Sequence, residues 1–181
     1  TRAMEDYKVI VADMADLIKK VLNDTDTNTS EIKTIGIGCP GSIDDKNGVV
    51  IYANNLNLHD APLAEELKKY YDVPVYVSND ANCAALGEFF ALDDENITDI
   101  VAITLGTGVG SGIIINKKIF TGTNGIGGEL GHTVIKANGE KCTCGRNGCW
   151  EAYASATALI REAEKAAKEN PDSYLAKLVA E

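Results

Sequence analysis

Residues 73–92 read VPVYVSNDANCAALGEFFAL. Valines at 73, 75 and 77 favour an extended strand, expected over 73–78. Asn79 and Asp80 then open an alanine-rich stretch without proline, expected to be helical over 81–92. A strand that runs straight into a helix marks an α/β sheet protein. The junction also carries chemistry. Asp is a good helix cap. At the carboxyl end of a strand it also faces the ligand crevice of an open α/β sheet. There the helix dipole holds it ionised, and it can accept the proton of an attacking hydroxyl in phosphoryl transfer. Capping and catalysis are compatible, and these residues alone leave both open.

The flanking segments extend the pattern. Residues 1–22 read as an amphipathic helix with Tyr7, Ile10, Met14, Leu17 and Val21 on one face. Residues 32–38 form a short apolar run closed by Cys39-Pro40-Gly41, a buried strand ending in a tight turn. A strand is expected at 48–53. Asp60 is placed to cap a helix with Pro62 in its first turn, running to about Tyr71. Beyond residue 92, strands are expected at 99–105 and 112–116, joined as a hairpin by the turn Gly106-Thr107-Gly108-Val109-Gly110. Residues 124–128 are loop, 129–135 a short strand, and 151–169 one long helix, with a last helical piece after Pro171. The loop at 93–96 is the best place for a domain junction.

The 181 residues suffice for one substantial core or parts of two smaller domains. Seventeen basic against 27 acidic residues give a net charge of −10, which disfavours contact with nucleic acid by this region. No apolar run approaches the ~18–20 residues that span a bilayer, and no signal peptide opens the chain. His59 reads as a surface residue. Cys39 and Cys83 stand alone in apolar surroundings and read as core thiols.

The other cysteines crowd together. His132, nine residues, Cys142, one residue, Cys144, four residues and Cys149 supply three sulfurs and one nitrogen, the donor set of a closed structural zinc site. A disulfide and free thiols are the competing readings, but Cys142 and Cys144 are too close for an unstrained bridge. Metal binding by such a cluster also suits a reducing cytosol. Glu129 lies three residues before His132 and Glu151 two after Cys149, so a closed metal loop would tether the two carboxylates together. With the amide of Asn79 they suit a polyhydroxyl ligand, whose hydroxyls both donate and accept. Glu151 alone could be no more than a helix N-terminal charge. The turn at 106–110 can cradle a phosphate with its backbone N–H groups or be a plain hairpin turn.

Taken together, Ile35–Ile43 (IGIGCPGSI), Val77–Glu88 (VSNDANCAALGE), Ile103–Gly112 (ITLGTGVGSG), Gly127–His132 (GGELGH) and Cys142–Glu151 (CTCGRNGCWE) resemble the ROK family of sugar kinases and sugar-responsive repressors, its bacterial glucokinases above all. The resemblance implies a two-lobed, actin-like ATPase fold of the ribonuclease H-like kind. Residues 1–97 would belong to the small N-terminal lobe. Residues 98–181 would form the first part of the large lobe, with a zinc-binding loop at 132–149. It implies ATP-dependent phosphorylation of glucose at the 6-hydroxyl, with Asp80 as base. Asn79, Asp80, Glu129, His132 and Glu151 would hold the sugar, with a backbone contact from Gly41. Gly106, Thr107 and Gly108 would meet the ATP phosphates, bridged by Mg²⁺. His132 would serve both sugar and zinc, and Asn55 would lie near the sugar. The expected protein is a cytoplasmic homodimer whose partners are sugar and ATP, with no membrane association.

Fructokinases of the family tend to carry His-Pro where this chain has Gly127-Gly128, which favours glucose; N-acetylmannosamine and fructose are the alternative hexoses. A sugar-sensing repressor is the alternative function, and a zinc-stabilised binding module without chemistry is the third. The chain departs from the family at both ends. No Asp-x-Gly-Gly-Thr phosphate loop precedes Thr1, and the adenine-binding part beyond Glu181 is missing. The expectation is a central piece of a longer protein, inactive or nearly so by itself.

Overall fold

In the computed structural model, which describes residues 4–53 and 56–180, the first element is helix α1 (Tyr7–Asp24), capped by Asp6 through the Lys8 N–H at 2.9 Å. Its buried stripe differs from the expected one. Val11 and Ala15 are fully buried, and Tyr7, Ile10, Met14, Ile18 and Leu22 pack beside them. Leu17 and Val21 are exposed. Both sets have helical spacing, and which one is covered depends on what α1 packs against, namely α2 (Leu63–Lys68).

Strands β1 (Ile35–Cys39) and β5 (Val75–Asn79) pair in parallel from Ile35↔Val75 to Cys39↔Asn79. This register brings the ends of both strands level, so the turn after Cys39 lies beside Asn79. A second, antiparallel sheet has the order β2 (Ser42–Asp44), β3 (Val49–Ala53), β4 (Leu58–Ala61). The third is the antiparallel meander β6 (Ile100–Leu105), β7 (Val109–Ile115), β8 (Lys118–Ile119). The hairpin expected around the glycine turn is therefore present. The main core gathers Val11, Ile43, Val50, Leu58, Leu63, Leu67 and Val77, and the Tyr71 hydroxyl donates to the Ala15 carbonyl at 2.9 Å.

Several expectations are corrected. Asp60 does not cap a helix. It lies within β4, where pairing with β3 (Tyr52↔His59, Val50↔Ala61) recruits the segment into a sheet, and α2 starts only after Pro62 without a side-chain cap. Residues 129–135 form a 3₁₀ turn (Leu130–His132) and one bridge, Val134↔Cys149, in place of a strand. The helix expected over 151–169 is two helices, α4 (Glu151–Ala154) and α5 (Ala156–Glu169), because Ser155 adopts an extended conformation and caps α5 through the Ala158 N–H at 3.1 Å. The last helix, α6, spans Tyr174–Val179.

Helix α3 (Asp80–Ala91) packs chiefly against β6 and β7 and also touches β1 and β5, so it joins two sheets. Cys39 is buried as expected, whereas Cys83, on α3, is exposed. His59 is exposed, edge-on to Tyr52. Among the described residues, no helix is long and apolar enough to cross a membrane.

Candidate functional site

Asn79 is the last residue of β5, and its amide oxygen accepts from the N–H groups of Ala81 at 2.9 Å and Asn82 at 3.1 Å. Asn79 is thus the cap of α3. Asp80 is the first helical residue, exposed, with one carboxylate oxygen sharing the Ala81 N–H at 2.9 Å. The cap and the candidate base are therefore neighbouring residues rather than one. The amide nitrogen of Asn79 donates to the Gly41 carbonyl at 3.1 Å. Gly41 holds φ +98°, and a side chain there would meet the Tyr52 carbonyl oxygen at 2.1 Å, so only glycine fits this turn.

The charges at this corner act on one another. Burial raises the pKa of Cys39 to about 11, and the nearby Asp80 carboxylate adds to the effect. The Glu129 carboxyl is also raised. Its desolvation is the largest cause, His132 opposes it, and the charges of Asp80 and Glu151 reinforce it. Asp80, Glu129, His132 and Glu151 thus share one electrostatic neighbourhood, although they come from α3, the loop before the 3₁₀ turn, that turn itself and α4. Glu129 is held by a residue that sequence reasoning missed. Ser111, buried in β7, donates its hydroxyl to the Gly128 carbonyl and accepts from the Leu130 N–H at 3.0 Å, gripping the backbone on either side of Glu129. A serine among strand glycines was the only hint.

Glu151 has two tasks. One oxygen accepts the Val109 N–H at 3.0 Å, and the other accepts the Thr143 hydroxyl at 2.9 Å. It thereby fastens the glycine turn to the cysteine loop. A side chain at position 108 would meet a Glu151 carboxylate oxygen at 2.4 Å, so the close approach needs Gly108. The start of α5 completes the clamp. The Ala156 N–H donates to the Gly106 carbonyl and the Thr157 hydroxyl to the Thr107 carbonyl, both at 2.8 Å. The carbonyls of the turn are thus occupied. Among the described residues, the N–H groups of Thr107 and Gly108 have no protein acceptor.

His132, Cys142, Cys144 and Cys149 converge, with all four ligand atoms within 4.8 Å of one another. Cys144 and Cys149 sulfurs are 3.6 Å apart, and Cys142 sulfur is 3.6 Å from His132 Nδ1. The edges of a tetrahedron with Zn–S bonds of ~2.3 Å and Zn–N bonds of ~2.0 Å are about 3.5–3.8 Å, so the donor set fits zinc. The thiols are unequal. Cys144 is pulled down to about 6: desolvation, the largest single cause, pushes the other way and is outweighed by the combined effect of the Arg146 backbone and guanidinium and the neighbouring thiols. Burial pushes Cys149 up to about 11, reinforced by those thiols. Asn55, expected near the sugar, lies outside the described residues.

The model of the ROK family matches residues 3–181. A glucokinase of Halalkalibacterium halodurans is 40% identical over 177 residues, covering 97% of this chain and 54% of that protein. A xylose repressor of Caldicellulosiruptor bescii is 37% identical over 172 residues, covering 94% of this chain and 43% of that protein. The crystal structure of a ROK family glucokinase from Streptomyces griseus in complex with glucose and AMPPNP superposes with a TM-score of 0.74 at 37% identity, over 89% of this chain and 51% of that one. The chain spans about half the length of the curated relatives it matches.

Proposed function

The chain belongs to the ROK family and has its actin-like ATPase fold, and from that premise we propose that it carries the sugar site and one phosphate-binding turn of an ATP-dependent sugar kinase acting on the 6-hydroxyl of glucose. The observation that carries this reading is the division of labour at the head of α3. Asn79 caps the helix, which leaves the Asp80 carboxylate exposed at the carboxyl end of β5. A glucokinase relative and a glucokinase structure holding glucose and a nucleotide analogue support it.

In the proposed reaction, Asp80 accepts the proton of the sugar 6-hydroxyl as its oxygen attacks the γ-phosphorus. A new O–P bond forms, the β–γ bridging O–P bond breaks with its electron pair leaving on ADP, and the proton passes from Asp80 to solvent. Asn79, Glu129, His132 and Glu151, with the Gly41 backbone, orient the sugar. The free N–H groups of Thr107 and Gly108 receive phosphate oxygens. Mg²⁺ bound to the nucleotide would neutralise phosphate charge. Zinc held by His132, Cys142, Cys144 and Cys149 would be structural, fixing the loop that carries Glu129 and Glu151.

On this reading residues 1–97 belong to the small lobe and 98–181 to the large one, and the assembled protein is a cytoplasmic homodimer. One glycine turn is only part of an ATP site, so the 181 residues alone should turn over slowly or not at all. The similarity to a xylose repressor favours one alternative, a sugar-responsive regulator built on the same pocket. Coupled-assay turnover of the full protein with ATP and glucose, mannose, fructose or N-acetylmannosamine separates the two. Glucose-preferring turnover that Asp80→Asn abolishes, with sugar affinity kept within a few-fold, supports the kinase. Sugar binding without turnover points to the regulator, and equal turnover of variant and wild type removes Asp80 from the role of base.

A further inference from the structure

Arg146 lies outside the set of residues assigned above, yet it holds the backbone of two of the four metal-donor residues. Its guanidinium donates to the His132 carbonyl at 3.0 Å. Its own backbone carbonyl accepts the Cys142 N–H at 2.8 Å. Arg146 therefore bridges His132 and Cys142, which are separated by nine intervening residues of chain.

Charge explains why a cation belongs there. Zinc is bound by thiolates and by neutral imidazole. A divalent ion with three thiolates and one imidazole carries one net negative charge. Arg146 supplies one positive charge beside the ligand set, at the His132 carbonyl. Among the described residues, no salt bridge to a carboxylate competes for this guanidinium. Outer-shell partners of this kind orient ligands and set metal affinity.

We propose that Arg146 is a positioning residue for the metal site, neutralising the excess charge of the zinc–thiolate centre and locking the His132 turn to the cysteine loop. The inference rests on the zinc reading above. It also gives the metal loop a second link to the pocket, because the His132 carbonyl held by Arg146 belongs to the same 3₁₀ turn that follows Glu129.

The test is zinc affinity of the full chain, measured by competition with a chromophoric chelator, for wild type and for Arg146→Ala, Arg146→Gln and Arg146→Lys. Ala and Gln should weaken zinc binding about ten-fold, with Lys recovering most of the loss. Gln keeps a donor for the His132 carbonyl but no charge, so a Gln variant equal to wild type overturns the charge role. Equal affinity of all four proteins overturns the inference entirely. Circular dichroism of the zinc-free forms should be superimposable, which separates metal affinity from folding. A wild-type chain that takes up no zinc removes the metal reading itself, and this inference with it.

Discussion

The Glu151 carboxylate accepts the Val109 N–H at 3.0 Å across 42 residues of sequence. The bond joins the end of the cysteine loop to the turn between β6 and β7. A residue that motif spacing assigns to sugar binding is thus also the tie between two parts of the site.

Removing that tie should be measurable. Glu151→Ala leaves the Val109 N–H without its charged acceptor, and a hydrogen bond of this type contributes about 1.5–3 kcal/mol. Gly108→Ala should act through the same contact, because the new methyl group would displace the end of a flexible side chain rather than backbone. The double variant should therefore cost less than the sum of the two, with a coupling of about 0.5–3 kcal/mol in urea unfolding. Strict additivity would mean that Gly108 and Glu151 act independently.

Ser111→Ala strips the Leu130 N–H of its partner in a buried setting. The cost should be about 1–3 kcal/mol of stability. Sugar affinity, read by calorimetry, should fall with it because the backbone on both sides of Glu129 is loosened. Lost stability with unchanged sugar binding would show that Glu129 is positioned by something else.

Glu129 carries a conflict between stability and function. Its pKa in the folded chain is raised above the ordinary 4.5, chiefly by desolvation. The folded state then binds the proton more tightly than the unfolded one, so this group's contribution falls as pH rises through the folded pKa. Glu129→Gln should melt above wild type at pH 7, with the difference closing as pH drops below about 4.5. The same variant should lose sugar affinity. A melting temperature below wild type at pH 7 would contradict the direction of the shift.

Chelation should expose the contribution of the metal loop. Cys149 is fully buried and the donors match zinc distances. Removing the metal, or replacing Cys144 with Ser, should lower stability by about 3 kcal/mol or more. In a chain of this size that is about 6–12 °C of melting temperature. Unchanged melting after exhaustive chelation of a zinc-loaded sample would leave the cluster without a structural metal.

What the sequence determined by itself was local or covalent. The valine run entering an alanine-rich helix, the hairpin around Gly106–Gly110 and the spacing of His132, Cys142, Cys144 and Cys149 all act over a few residues, where propensity and chain tether dominate. Tertiary structure decided what depends on distant partners. It chose which stripe of α1 is buried, drew Asp60 into β4 through pairing with β3, and split the last long helix at Ser155. It also made Asn79 rather than Asp80 the cap, and placed Ser111, Thr143, Arg146 and Thr157 as supports. The reason is common to all of these. A hydrogen bond or buried face is settled by the group that arrives opposite it, and the chain brings that group from many residues away.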